Sequence, residues 1–342
     1  MSNWLEFLEA QGARLLTDGS VLFAGDPAPP CTTSTWLTAI GQEALLQVQG
    51  PDARKFLQGQ VTCDLRELEK GRWLPGAQCN LKGRIIASFA CAAANPDTLL
   101  LRTSADLLET LHQSLGKYAV FSKVTLSAVS EDWRLMGLQG PDAGALVAQQ
   151  TGLDPQQPGE ALASESVIAL KHEEERYELW VAADKAQKLW LSLAEACQLA
   201  GSGHWQLEDI RAGAGKVIAA TSERFTPQDL NYQLTGAVSF KKGCYTGQEI
   251  VARLHYKGKL KKHLYRIGFD ASELPTPGTT LADAEGKACA ELVQLAWAAK
   301  GRAEALAVLP EKESAAPPLG PEGTPVERLS LPYALPTADN NT

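Results

Sequence analysis

The chemically densest stretch of the chain is Lys241-Lys242-Gly243-Cys244-Tyr245-Thr246-Gly247-Gln248-Glu249. Two glycines bracket Cys-Tyr-Thr, so the backbone there can take positive φ or approach a ligand closely. Ammonium groups within a few ångströms of a thiol lower its pKa, which would make Cys244 the most reactive cysteine of the chain. The competing reading is an inert cysteine buried in a tight turn. Trp205, Arg211, Pro227-Gln228 and Asn231 lie in the same dense region, 205–262. The other six cysteines, at 31, 63, 79, 91, 197 and 289, form no Cys-x-x-Cys pair and have no histidine at zinc-finger spacing. No metal site is therefore expected, and a private iron–sulfur cluster, which needs about four gathered thiolates, is disfavoured. An odd set of free thiols points to a reducing, cytoplasmic setting.

These residues must be carried by a scaffold, and its first sign is an internal repeat. Gln49-Gly50-Pro51-Asp52-Ala53 recurs as Gln139-Gly140-Pro141-Asp142-Ala143, each time between an apolar strand-like run and a helix-like one. Proline at the first helical position and an acid in the first turn suit a helix start. A second strand-plus-helix unit follows each copy, at 98–102 with Ser104 as N-cap before 105–115, and at 177–181 with Asp184 as N-cap before 185–199. Two such units, repeated, predict two similar α+β lobes of split-βαβ type. From Lys259 onward, short candidate strands at 264–269, 292–298, 305–309 and 327–331 alternate with Gly/Pro-rich turns, which reads as a small all-β module. The proline-rich stretch 315–325 reads as a loop and the last six residues as frayed.

Composition narrows the function. The chain has 342 residues, with 32 basic against 40 acidic side chains and a net charge of −8, so no global positive field draws nucleic acid or anionic membrane. The first ten residues have no basic n-region, and the longest near-apolar run, 85–94, is about half of a membrane span. One local exception is 253–263, where Arg253, Lys257, Lys259, Lys261 and Lys262 accompany Tyr256 without an acid. Basic groups beside an aromatic can hold an unpaired RNA stretch. The alternative is a solvated linker or edge strand entering the C-terminal module, and the overall acidity argues for weak or no direct tRNA contact.

The nine-residue signature at 241–249 resembles that of the YgfZ family of folate-binding proteins. The resemblance extends to Gly50-Pro51-Asp52-Ala53, to 56–64 (Phe-Leu-Gln-Gly-Gln-Val-Thr-Cys-Asp), and to Cys79-Asn80-Leu81-Lys82-Gly83-Arg84. It continues through Lys117-Tyr118-Ala119-Val120-Phe121 and Pro227-Gln228-Asp229-Leu230-Asn231, in order over 40–266. It implies an α+β, T-protein-like ring of two repeated ferredoxin-like lobes and a C-terminal β-barrel around a cavity for tetrahydrofolate or a one-carbon derivative. On that scheme, 1–120 is a first folate-binding lobe completed by 205–250, 121–204 a second lobe, and 255–336 the barrel.

The family is associated with maintaining iron–sulfur enzymes, among them a tRNA methylthiotransferase, and brings no established turnover. It implies Trp205 in folate binding. A folate needs a flat wall, polar groups for its ring edge and cations for its tail. Trp205 and Tyr245 could form the wall, Gln60, Asp64, Asn80, Gln248 and Glu249 the polar edge, and Lys82, Arg84, Arg211, Lys242 and Arg253 the charge. Cys244 would carry any covalent or redox step. Folate-dependent one-carbon transferases of similar fold have an aspartate pair after the Asn-x-x-Gly region. Ala87 and Ser88 stand there in this chain and cannot hold a proton as a carboxylate does, so transferase chemistry is the lesser alternative.

Overall fold

The computed structural model describes residues 2–26, 33–173, 175–258, 260–310 and 317–336. Cys31, Lys259, residues 315–316 of the proline-rich loop and the six C-terminal residues lie outside them.

Both copies of the Gly-Pro-Asp repeat make the same turn. Strands Glu43–Gln49 and Trp133–Gln139 each run into a glycine with φ of 139° and 131°, and helices Ala53–Gln58 and Ala143–Thr151 begin three residues later. A foreign segment crosses each turn at the glycine. A Cβ on Gly50 would collide with the Lys123 carbonyl oxygen, and one on Gly140 would stand 2.6 Å from Thr35 Cα. Only glycine tolerates both the angle and the crossing. The prolines precede the N-cap rather than opening the helix, and neither Asp52 nor Asp142 caps through its side chain. Asp52 instead accepts from the Lys123 amide at 2.8 Å, which ties the turn to the crossing segment. Ser104 likewise spends its hydroxyl on Asp106, and Asp184 lies in the first turn of Ala183–Ala194, whose N-cap is Ala182.

Each turn lies in a run of strand, helix, three-stranded meander, helix and strand. The first builds an antiparallel sheet in the order Leu74–Cys79, Ile85–Asn95, Thr98–Ser104, Glu43–Gln49, Thr125–Ala128. The second has the order Ala161–Ala163, Val167–Glu173, Arg176–Ala182, Trp133–Gln139, Trp36–Ala39, Gln198–Leu199. Here the N-terminal strand Trp36–Ala39 is inserted between the repeat's own strands, antiparallel to Trp133–Gln139 and parallel to Gln198–Leu199. Helix Ser2–Ala10 joins the same core, with Trp4 edge-on to Trp190 at 5.8 Å.

The two sheets share an apolar layer. Strand Thr98–Ser104 sends Leu99 and Leu101 toward its own helices and Leu100 toward the other sheet; Val167–Glu173 sends Val167 and Ala169 one way and Ile168 and Leu170 the other. Both faces are covered, so these strands read as continuous apolar runs instead of alternating ones.

The C-terminal part corrects the expected barrel. It is an open five-stranded antiparallel sheet, ordered Thr280–Ala282, Ala288–Ala299, Arg302–Pro310, Lys262–Asp270, Glu327–Leu329, with no ladder joining the edge strands among the described residues. What stands between those edges is the 317–325 segment, linked by the Leu319 amide to the Ala282 carbonyl and by a bridge between Leu319 and Pro325. Its prolines at 317, 318, 321 and 325 have no N–H to give a ladder.

Candidate functional site

A cavity of about 410 Å³ opens where the two sheets meet helix Ser202–Arg211, within the range of small-ligand sites. Trp73 and Phe89 of the first repeat give it aromatic wall, Tyr232 and Tyr333 add two phenol rings, and Gly76, Gly159 and Gly215 keep it open. Tyr333 arrives from the C-terminal segment and donates to the Gly213 carbonyl at 2.9 Å.

The polar side of the cavity is one continuous chain of ion pairs. His172 meets Glu178 at 2.8 Å, Glu178 meets Arg102 at 2.7 Å, and Arg102 meets Glu43 at 3.0 Å. Lys216 then bridges Glu43 at 2.8 Å and Asp209 at 2.5 Å, and Asp209 ends on Arg176 at 2.6 Å. Three cations thus alternate with three carboxylates, with His172 at one end. All of them except Glu178 line the cavity. Strand phase explains the burial: Arg176, Glu178 and Trp180 alternate with Tyr177 and Leu179, which face the helices, so the charges fall on the inter-sheet side.

Electrostatics follows from the pairing. Burial pushes Glu178 up, but Arg102 and His172 outweigh it and hold the carboxyl down at about 2. Asp209 is also lowered: burial works against the charge, and Lys216 and Arg176 overcome it. Burial lowers His172 despite its Glu178 partner. Arg176 Nε is a buried donor without an acceptor, on a residue that lines the cavity.

None of the residues proposed from the sequence to hold the folate or carry chemistry lines this cavity. Trp205 is fully buried behind it, with the Arg176 guanidinium 3.9 Å above its ring and His172 edge-on at 5.4 Å. It positions Arg176 and does not form the wall. Arg211 is committed to Glu208 and Glu304 at 3.0 and 3.1 Å, the latter on the C-terminal sheet.

The remaining predicted residues gather elsewhere, around the end of strand Leu74–Cys79. Asn80 accepts from the amides of Lys82 and Arg84, making the turn itself, and Gly247 at φ 83° fits against the Asn80 carbonyl where a Cβ could not. Gln60 accepts from Thr246, and Asp64 caps the Leu65–Lys70 turn while pairing with Arg66. Lys242 turns inward, donating to the carbonyls of Val61 and Cys63 at 2.6 and 2.8 Å and lying 5.1 Å from the Tyr245 ring centre. Burial lowers it to about 8. Tyr245 is buried, Gln248 and Glu249 open helix Gln248–Lys257, and Lys82 and Arg84 flank an open surface groove with Arg224 and Glu291. Cys244 is exposed, which sets aside both the buried-turn reading and a thiol looking into the cavity.

Relatives settle the family. A tRNA-modifying protein YgfZ of Photobacterium profundum is 34% identical over 300 residues, covering 85% of this chain and 89% of that protein. One from Cronobacter sakazakii is 35% identical over 254 residues, 74% of this chain and 77% of the relative. The chain belongs to the YgfZ family. A profile described as the GCVT N-terminal domain matches residues 33–165 of this YgfZ-family chain. The glycine cleavage system aminomethyltransferase T of Bartonella henselae superposes with a TM-score of 0.76 over 96% of each chain at 18% identity, so the fold is T-protein-like.

In this chain the 241–249 signature lies outside the cavity, with Lys242 and Tyr245 buried and Cys244 exposed, and the cavity is built by other residues. The missed residues do carry a signal. Arg102 interrupts the run Thr-Leu-Leu-Leu-Arg-Thr-Ser, and Arg176 and Glu178 interrupt Arg-Tyr-Glu-Leu-Trp-Val-Ala. A charge on an otherwise apolar strand is either an edge or a buried pair, and here it is the latter. Among the described residues no cluster of three or more His, Cys, Asp or Glu could hold a metal, and no helix is long and apolar enough to cross a membrane.

Proposed function

We propose that the central cavity binds a reduced folate, tetrahydrofolate or a one-carbon derivative, and that the protein is an accessory factor for iron–sulfur enzymes that support tRNA modification. The observation that carries the folate reading is the pairing of an aromatic wall, Trp73 and Phe89, with the guanidinium-bearing Arg72 and Arg176 in the lining of one cavity of suitable size. The wall suits a pterin, and Arg72 at the rim beside Pro158 suits a carboxylate tail. The tRNA-modifying names of the relatives and the GCVT domain profile support the wider role.

The transferase alternative is weaker in this geometry. Glu43 and Asp209 are each held between two cations, and a carboxylate so held is a poor base. Ser88, at the position where an acid would be needed, accepts from the Val217 amide at 2.9 Å. The exposed Cys244 fits contact with a client protein better than chemistry on a folate in the cavity. Division of labour follows: ligand inside, client outside. Replacing Cys244 with alanine is then expected to lower client activity and leave folate binding unchanged.

Calorimetry with tetrahydrofolate and its formyl and methylene forms tests the folate reading. Wild type is expected to bind at least one form, and Trp73→Ala to weaken it at least about tenfold. No heat with any form would overturn the reading. Trp205→Ala is a poor probe, because it removes the support of Arg176 together with any ligand effect.

A further inference from the structure

We infer that the outer face of helix Gln248–Lys257, with the strand entry that follows it, is a docking surface for an unpaired stretch of RNA. The inference does not rest on the folate reading. Three aromatic rings meet there. Phe240 and His255 stack face to face at 3.7 Å with 9° between their planes, and Tyr256 stands edge-on to both, at 6.0 and 4.8 Å. Tyr256 is 68% exposed, although a phenol ring is normally drawn inward. The Phe240–His255 stack fixes the helix turn that carries it, so the ring is presented on a firm base.

Cations flank this platform along the chain. Arg253 and Lys257 lie three residues before and one after Tyr256 on the same exposed side of the helix, and Lys261 and Lys262 follow at the start of strand Lys262–Asp270. Between residues 250 and 263 there are five basic residues and no acid, in a chain whose net charge is −8. Glu249, one turn before Arg253, is the nearest acid on the helix. Lys241 beside Phe240 is exposed, and Arg66 reaches its carbonyl at 3.3 Å while pairing with Asp64. The edge-strand explanation reaches Lys262 alone, whose ladder is on one side only among the described residues, while Arg253, Lys257 and Lys261 precede the strand. An exposed ring with several cations close to it in the chain, on a protein of net charge −8, has the chemistry of a base stacked on an aromatic and a backbone held by ammonium groups. A duplex offers no free base face to that ring, so the fit is to unpaired RNA.

Fluorescence anisotropy with a labelled single-stranded RNA of about 12 nucleotides and a duplex of equal length tests this. The single strand is expected to bind the wild type more tightly than the duplex, with a log affinity falling by about 2–3 per decade of salt for three or four phosphate contacts. Tyr256→Ala should weaken it on the order of tenfold without changing the salt slope. Lys257→Glu with Lys261→Glu and Lys262→Glu should abolish binding and flatten the slope. Neither set touches the cavity, so folate calorimetry should read as wild type and keeps this proposal separable from the previous one. Independently, 4-thiouridine RNA crosslinked to unaltered protein should mark peptides within 240–262. No binding at about 50 mM salt, equal affinity for the duplex or for heparin, indifference to Tyr256→Ala, or crosslinks confined elsewhere would each overturn the inference.

Discussion

The cavity and the Cys244 loop solve opposite problems with the same kinds of residue. In the cavity, charged side chains are buried and every carboxylate of the chain from Glu178 to Asp209 touches two cationic or histidine partners. At the loop, Lys242 is buried on carbonyl oxygens while the thiol two residues later stands in solvent. The first arrangement fixes a shape between two sheets; the second buries one lysine on backbone carbonyls beneath a loop whose thiol is exposed. Motif density therefore marked the part of the molecule that meets the outside, and strand phase marked the part that forms the interior.

The largest effect should come from breaking the cavity network. Arg102→Met leaves Glu43 and Glu178 buried without their shared cation, and urea denaturation should show a loss of about 3–5 kcal/mol. If the loss were instead comparable to that of a surface change, the network would not be the element that joins the sheets. A medium effect is expected at Lys242. Burial lowers its folded pKa to about 8 against an ordinary 10.5, so between those values the unfolded chain binds a proton that the folded one does not. Stability from this group therefore rises with pH across that window, by on the order of 1–3 kcal/mol, and Lys242→Met should remove the rise. A pH profile identical in the variant would show that the ammonium is solvated.

The smallest effect on folding is expected at Cys244→Ala, within about 0.5 kcal/mol, because the side chain is exposed. Its chemical contrast should be large all the same. Burial raises Cys63 and Cys79 to about 12 and Cys197 to about 11, so in native protein a disulfide reagent should modify Cys244 first among the described cysteines. Faster labelling of a buried thiol would reverse the comparison.

The repeat was legible because a Gly-Pro-Asp turn needs its glycine wherever a crossing segment closes over it, and both copies keep that need in the letters of the chain. The open C-terminal sheet was not legible, since short strands between prolines look alike whether or not their edges meet. Within the site, the Asn80 turn and the Gly247 contact were visible as motif; the cavity was not, because Arg102, Arg176, Glu178 and Asp209 become one network only through tertiary pairing of distant segments. Trp205 was expected as a wall for the ligand and instead lies under Arg176, because an indole reads the same in sequence whether it forms a wall or backs one.

The insertion of Trp36–Ala39 between two strands of the second repeat has a consequence for synthesis. When residue 128 leaves the ribosome the first sheet can already close, but this early strand must wait, unpaired, for a partner about a hundred residues younger than itself. Removing the first forty residues should accordingly spare the first sheet and unravel the second, which limited proteolysis of the shortened chain would reveal as early cleavage within 133–199.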